Sequence, residues 1–392
     1  MALQPAAGAR DLNPGDVDSN RRICDLLAEV YRLWGYQEMA PPTIERIDTL
    51  EAGGGIAEQE VVRLVADDPL GLRPEFTASI ARAASTRLVG RPRPLRLWAC
   101  GTTFRSISGE AGGQRINEQL HSGVELLGVA SAAADTELMH LLLAAAGTLG
   151  LRPAHHPTLL VGHHGLLDAL LARVDAALRG AVRQALTGFD SLALAELALP
   201  DSQRQRLTAL MGLRGHPADV LDQLEQWLGP VPPLNDLAAT LASVAPAAAD
   251  LGVRLQLDPT FQPHFDLYDG LVLKLVCQGA EAPVAIASGG RYDRLVSRFC
   301  REPQQAAGTG FGFHVEAIRE LLGAEAPGGL ARAPWLVAAA GAHGLPAALA
   351  RMAELHRSGE AAELCVESCR SQADAERVAA ERGCRGAIWL AA

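Results

Sequence analysis

Apolar residues recur along the chain at two different spacings, and each spacing predicts its own kind of element. In Ser19–Trp34 they fall at helical intervals, which predicts an amphipathic helix that ends at Gly35. In Gly123–Gly128 they alternate with Glu125, which is the period of a β-strand, and the apolar run Leu95–Cys100 predicts a strand before it. The chain therefore mixes strands and helices in the manner of an α+β protein.

The same two spacings recur through most of the chain. Helical spacing predicts helices over Thr77–Leu88, Ala132–Leu149 and Leu166–Leu178. Strand patterns cover Tyr36–Ala40, Thr158–Gly162, Leu251–Leu257 and Phe265–Val276. From about Val182 to Val244 the pattern is helical with breaks at glycine and proline, so we predict an inserted helical segment at about residues 180–248.

A stretch rich in Gly, Pro and Ala, Gly323–Pro334, separates the last part of the chain from the rest. The patterns after it alternate in the order strand Trp335–Ala339, helix Leu345–Ser358, strand Leu364–Glu367, helix Ser371–Arg382 and strand Gly386–Ala391. This order is a β-α-β-α-β unit. We therefore predict one domain over residues 1–325, which carries the helical insertion, and a small C-terminal α/β domain over residues 335–392.

Two charged residues stand out on the strands at Leu95–Cys100 and Gly123–Gly128. Arg105 comes just past the first strand and Glu125 lies on the second, with a glycine-rich loop between them. On neighbouring antiparallel strands, a cation and a carboxylate that face one cleft can bind a zwitterion such as an amino acid. The alternative is an ordinary surface ion pair between the two strands.

A second candidate segment is Leu72–Thr77. Glu75 and Thr77 are two residues apart, so on an extended backbone they lie on the same side and can accept hydrogen bonds from an ammonium group. The alternative is that Thr77 is simply the N-cap of the helix that follows it.

Composition limits the classes of function. The chain has 392 residues, 48% of them hydrophobic and 20% charged, which is typical of a globular protein with a large core. A net charge of -10 argues against a nucleic-acid partner, because such binding normally shows a basic surface. The longest apolar run, near Leu138–Leu151, is too short to span a bilayer, and the N-terminus lacks a signal-peptide core. The seven cysteines lack metal-site spacing, so we expect a cytoplasmic protein with reduced thiols, no metal and no membrane contact.

Four stretches resemble the motifs of class II aminoacyl-tRNA synthetases, and those of the histidyl-tRNA synthetase family in particular. They are Leu72–Thr77, Phe104–Arg105 with Gly123–Gly128, Gly289–Asp293, and Gly308–Ile318. The resemblance implies an antiparallel sheet flanked by helices. The N-terminal helix, the strand after it and Pro41-Pro42 resemble the motif that forms the dimer interface in this class, which implies a homodimer. The C-terminal unit resembles a shortened anticodon-binding domain.

The resemblance also implies a pocket for histidine. Glu75 and Thr77 would lie near the ammonium group, and Glu125, His121 and Tyr268 near the imidazole. Together with residues that match the family or share a strand face with these, the candidate histidine-binding residues are Glu75, Thr77, Arg105, His121, Glu125, Asp266, Tyr268, Lys274 and Tyr292.

Lys274 is the only lysine in a chain that otherwise uses arginine. The alternation in Phe265–Val276 predicts that it shares a strand face with Asp266 and Tyr268 and points into the cleft. A buried ammonium requires an anionic partner. That partner is either the ligand or a structural ion pair with Glu125 or Asp266, unless Lys274 lies on an edge strand and reaches solvent.

Three positions depart from the synthetase pattern. Where the family has two arginines and a glutamate that contact ATP, the chain has Pro263, Ala317 and Ile107. Amino-acid activation needs fixed cations around the phosphates, so adenylation is expected to be lost and no nucleotide cofactor is expected.

A synthetase-like dimer with a histidine pocket but without adenylation resembles the family of ATP phosphoribosyltransferase regulatory subunits. That resemblance implies a non-catalytic subunit that activates a short-form catalytic subunit in histidine biosynthesis and responds to L-histidine, without tRNA. The alternatives are a divergent but active histidyl-tRNA synthetase and another histidine-sensing synthetase paralog.

Overall fold

The computed structural model describes residues 5–6, 8–52, 56–108, 113–262, 267–327 and 333–391. Contacts divide the chain into two compact units, Met1–Pro327 and Gly328–Ala392. Within the described residues, the first unit contains ten strands, which are β1 Gln37–Glu38, β2 Ile44–Arg46, β3 Leu70–Leu72, β4 Leu95–Ser108, β5 Gln114–Leu127, β6 Thr158–His163, β7 Arg254–Leu257, β8 Leu271–Gln278, β9 Pro283–Arg291 and β10 Gly308–His314.

Eight of these strands form one sheet in the order β1-β4-β5-β10-β9-β8-β6-β7, and β2 pairs with β3 separately. The inner pairs of the large sheet are antiparallel, whereas β1 with β4 and β6 with β7 are parallel. In the part of this unit that the structure describes, twelve helices accompany the strands, namely α1 Pro14–Leu33, α2 Ile47–Glu51, α3 Thr77–Ser85, α4 Ala132–Gly147, α5 His164–Leu171, α6 Arg179–Thr187, α7 Ser191–Glu196, α8 Asp201–Gly212, α9 Pro217–Leu228, α10 Pro232–Asp250, α11 Asp293–Phe299 and α12 Val315–Leu322.

The β4/β5 hairpin is the longest pairing in the sheet. Its register runs from Leu95 opposite Leu127 to Ser108 opposite Gln114. The strand β4 is therefore much longer than the predicted Leu95–Cys100, because polar residues continue the ladder where the apolar pattern stops. Arg105 consequently lies within the strand, not past its end.

The two faces of the large sheet pack against different helices. On one face α1 and α4 bury Tyr31, Trp98 and Val124 in a continuous apolar core. On the other face α3 and α11 form a smaller core that includes Leu97 and Tyr292. The smaller core covers its face only in part, and the gap it leaves is the cavity described below.

Other predicted element boundaries also differ from the structure. The helix predicted over Leu166–Leu178 ends at Leu171. Turns follow it, and in one of them the Asp175 carboxylate accepts a hydrogen bond from Ala177 N (2.9 Å). The predicted strand Phe265–Val276 begins only at Leu271. Pro263 and Asp266 lie outside the described residues.

The second unit contains β11 Trp335–Ala339, α13 Leu345–Arg357, β12 Ala362–Leu364, α14 Gln372–Glu381 and β13 Gly386–Leu390. Its strands form a parallel sheet in the order β12-β11-β13. The strand predicted at Leu364–Glu367 is found earlier in the chain, at Ala362–Leu364. Across the described ranges, no helix has the length and apolar character needed to cross a membrane.

Candidate functional site

A cavity of about 290 Å³ opens on the sheet face that carries α3. Its walls come from α3 and from strands β4, β5, β8, β9 and β10. Of the predicted site residues, those that line it are Glu75, Thr77, Arg105, His121, Glu125, Tyr268, Lys274 and Tyr292. The remaining one, Asp266, lies outside the described residues. Residues far apart in sequence are therefore brought to one place.

Glu125 is the centre of the polar network in the cavity. It lies on β5, on the same strand face as His121 and Gln119, because these positions differ by even numbers. One carboxyl oxygen accepts a hydrogen bond from Thr77 Oγ1 (2.7 Å), and the other accepts from Tyr292 Oη. Both oxygens are thus oriented by neutral hydroxyl groups.

Glu75 caps the first turn of α3. Its carboxyl oxygens accept from the backbone N–H groups of Thr77 and Ala78, the latter at 3.0 Å. The alternative role for Thr77 as N-cap is wrong, because Phe76 occupies that position and the Thr77 hydroxyl binds Glu125 instead. Glu75 therefore fixes the helix that presents Thr77 to the cavity.

Glycines allow this network to form. A Cβ at Gly310 of β10 would overlap the Glu125 carboxyl and lie 2.5 Å from Val124 O. A Cβ at Gly290 of β9 would lie 2.7 Å from Cδ1 of the Tyr268 ring. Each glycine is required where a side chain crosses the backbone of the neighbouring strand.

His314 belongs to the cavity and was not predicted. Its Nδ1 lies 3.0 Å from His121 Nε2, and the two rings meet edge to face. Burial lowers the pKa of His314 to about 4 and lowers that of His121 well below its ordinary value, so both rings are neutral near pH 7. The sequence pattern could have identified His314, because alternation along β10 places it on the same face as Gly310 and Gly312.

Arg105 and Glu125 lie on neighbouring antiparallel strands as predicted, but they do not face each other. Arg105 is opposite Asn117, and Glu125 is opposite Leu97. The Arg105 guanidinium lies 3.5 Å from Pro74 O and 3.9 Å from a carboxylate oxygen of Glu60. The simple cross-strand ion pair is therefore excluded, and Arg105 stands at the rim of the cavity.

In the Gly-Gly-Arg-Tyr-Asp segment, Gly289–Asp293, the side chains of Arg291 and Tyr292 point to opposite faces of the sheet. Tyr292 points into the cavity and holds Glu125. Arg291 points away and pairs with Asp135 (2.8 Å) on α4 and with Asp293 (3.0 Å). Asp293 in turn accepts from Gly308 N at 2.9 Å. The segment therefore fixes the backbone from which Tyr292 projects.

The positions that depart from the synthetase pattern carry no charge to the cavity. Ile107 is 44% exposed near the end of β4. Ala317 is in the first turn of α12, beside a separate polar recess in which Arg10 pairs with Glu320 (2.9 Å). Arg319, two residues further along α12, likewise pairs with Asp16 (3.6 Å) and Glu320 (3.5 Å), so both of these cations near Ala317 are already paired.

Burial raises the pKa of Glu125 to about 8, and the neighbouring Glu75 adds to this shift, while the hydrogen bonds from Thr77 and Tyr292 oppose it. A carboxyl group whose pKa is raised on folding contributes stability that is complete below its ordinary pKa, 4.5, and is lost as the pH rises through about 8.

We therefore expect Glu125→Gln to gain stability relative to the wild type as the pH rises from about 5 to about 8. The difference should grow by up to about 1.4 kcal/mol per pH unit, because glutamine cannot ionise. Urea unfolding of both proteins across this range measures it. Parallel stability curves would show that Glu125 titrates normally.

Comparison with known proteins defines the class. A sequence profile of the family described as histidyl-tRNA synthetase matches residues 8–318. The crystal structure of an ATP phosphoribosyltransferase regulatory subunit/histidyl-tRNA synthetase from Bacillus halodurans C matches with a TM-score of 0.83 at 25% identity, over 100% of this chain and 99% of that one. A histidyl-tRNA synthetase from Nostoc sp. PCC 7120 shares the fold, with a TM-score of 0.78 at 19% identity over 100% and 92% of the two chains. The protein has the class II synthetase fold of the histidyl-tRNA synthetase type, as the motifs predicted.

Relatives that align over the whole of this chain identify the family within this fold class. ATP phosphoribosyltransferase regulatory subunits from Prochlorococcus marinus (strain MIT 9313) and Synechococcus sp. (strain RCC307) are 52% and 51% identical, over 100% of both chains in each case. The chain belongs to the family of ATP phosphoribosyltransferase regulatory subunits. These two relatives are named for regulation and not for catalysis, in agreement with the predicted non-catalytic role.

Proposed function

We propose that free L-histidine binds in the cavity around Glu125 and that the protein acts as the histidine-responsive activator of a short-form ATP phosphoribosyltransferase catalytic subunit. In this proposal the chain forms a homodimer within a hetero-oligomer in the cytoplasm and does not act on tRNA. All seven cysteines are unpaired, which is usual in a reducing compartment and supports that location.

One observation carries the proposal. The groups suited to an amino acid, Glu75, Thr77, Glu125 and Tyr292, converge on one enclosed site, whereas the sequence has no cation at the aligned ATP-binding positions. A carboxyl group close to its titration range and two oriented hydroxyl groups can accept an ammonium or an imidazole N–H. A site of this composition supports binding of histidine without its activation.

The direct test uses a tagged short-form catalytic subunit expressed with and without this chain. We expect the two chains to elute together and the phosphoribosyl transfer rate to be much higher for the complex than for the catalytic subunit alone. Added L-histidine should lower the rate of the complex. Equal activity of the catalytic subunit with and without this chain, and no co-elution, would contradict the proposal.

The competing function, an active synthetase, is tested separately. We expect no histidine-dependent exchange of pyrophosphate into ATP, because losing even one transition-state cation typically lowers a rate about a hundredfold or more. A histidyl-tRNA synthetase assayed alongside serves as the positive control. Exchange above the background without histidine would favour the synthetase.

A further inference from the structure

Lys274 lies in the interior of the large sheet. Its strand β8 is bordered by β9 and β6, with Lys274 opposite Ser288 on one side and Leu160 on the other. An edge-strand lysine that reaches solvent along the sheet is therefore excluded. The side chain is half-buried and lines the cavity that also contains Glu125.

The ammonium group of Lys274 has no carboxylate partner within the described part of the chain. Of the two ion pairs considered from the sequence, the one with Glu125 is absent, since the two Glu125 oxygens face Thr77 and Tyr292. The other candidate, Asp266, lies outside the described residues. The Lys274 ammonium lies near the ring of Phe261, with Nζ 5.7 Å from the ring centroid. A cation on an aromatic face is only weakly held, so this ammonium is available to a stronger partner.

The strand register places Lys274 between the two groups of polar residues in the cavity. Through Ser288 and Gly312, Lys274 lies in register with Gly123 on β5. Glu125 and His121 each lie two residues from Gly123, in opposite directions along the strand. Lys274 is therefore one same-face position from the row of Glu125 and one same-face position from the row of His121.

Arg105 does not fill the same role, because its guanidinium already lies near the Glu60 carboxylate and Pro74 O. An amino acid carries one cationic and one anionic group on the same carbon. With the ammonium group at Glu75 and Thr77, the carboxylate of the same ligand requires a cation of its own in the cavity.

We propose that Lys274 binds the carboxylate of the amino-acid ligand and so makes the site selective for an amino acid over the corresponding amine or amino alcohol. This inference rests on the proposed function, because it takes histidine as the ligand.

The experiment measures binding of two ligands, L-histidine and L-histidinol, which lacks the carboxylate. Calorimetry is performed on the wild type and on Lys274→Met, whose side chain is similar in length but uncharged. We expect the variant to bind histidine about tenfold to a hundredfold more weakly, as loss of a charge-assisted hydrogen bond implies, and to bind histidinol with its wild-type affinity.

Three further variants serve as controls. Lys274→Arg should keep most of the preference for histidine, and Lys274→Gln should repeat the loss if the methionine variant proves insoluble. Arg206→Met removes one positive charge from an exposed position on α8 that does not line the cavity, and it should change neither affinity.

The outcomes separate this inference from the proposed function. If the wild type binds neither ligand, the proposed histidine site is wrong and the role of Lys274 is wrong with it. If the wild type binds histidine but Lys274→Met and Lys274→Gln weaken both ligands equally, or neither, the site stands and the carboxylate contact is overturned.

Discussion

Replacing Glu125 with alanine is expected to abolish measurable histidine binding while leaving the protein folded. Micromolar affinity corresponds to about -8 kcal/mol, and truncating one partner of a buried charge pair costs about 2–5 kcal/mol, which moves the dissociation constant toward the millimolar range. Stability should change little, because burial already disfavours ionisation of this carboxyl group, so its removal relieves a cost as well as breaking two hydrogen bonds.

Calorimetry and thermal unfolding on the same preparation check both parts of this expectation. Glu118→Ala is the matched control, because Glu118 lies on the same strand but is exposed and does not line the cavity. Wild-type histidine affinity in Glu125→Ala would show that the ligand does not meet this group.

Gly310→Ala is expected to have the second large effect. The added methyl group would overlap the Glu125 carboxyl and press on Val124 O of the adjacent strand, where the backbone cannot move without breaking the β5/β10 ladder. Overpacking of this kind costs about 1–3 kcal/mol of stability, and the displaced Glu125 should no longer bind the ligand.

The chain offers a matched control two residues further along β10. Gly312 also lines the cavity, yet a Cβ there would meet no atom within 4 Å. Gly312→Ala should therefore keep wild-type stability to within about 0.5 kcal/mol. Chemical denaturation compares the two variants, and equal stability of Gly310→Ala and Gly312→Ala would refute the close approach of Glu125 to β10.

Many of the residues that line the cavity could be predicted from the sequence, because they belong to short motifs of recognisable chemistry. Glu75, Thr77, Glu125 and Tyr292 were each identified by a motif, and the structure brings them to one cavity. Their detailed contacts could not be predicted. That Thr77 donates to Glu125 and does not cap its own helix depends on the distance between α3 and β5, which local pattern does not encode.

The errors have a common physical origin in contacts between distant segments. The strand predicted to begin at Phe265 begins at Leu271, and just before it Asp269 N donates to Arg291 O (2.9 Å). A Cβ at Gly270 would lie 2.7 Å from the Arg291 side chain. Apolar alternation gives no sign of either constraint, because both come from a residue on a different strand.

The His121–His314 pair illustrates a different limit. Each residue could be assigned to a strand face by alternation, but their contact depends on the β5/β10 register, in which His314 is opposite His121. Register follows from the whole sheet, and a lone histidine at the end of a strand carries no mark of its partner.

Arg291 and Tyr292 are adjacent in the chain but serve opposite sides of the sheet. The guanidinium of Arg291 is anchored to Asp135 on α4, while the phenol of Tyr292 reaches through to Glu125. One peptide unit therefore joins two contacts on opposite faces of the sheet, so that a continuous chain of side-chain contacts runs from Asp135 on α4 to the Glu125 carboxyl in the cavity.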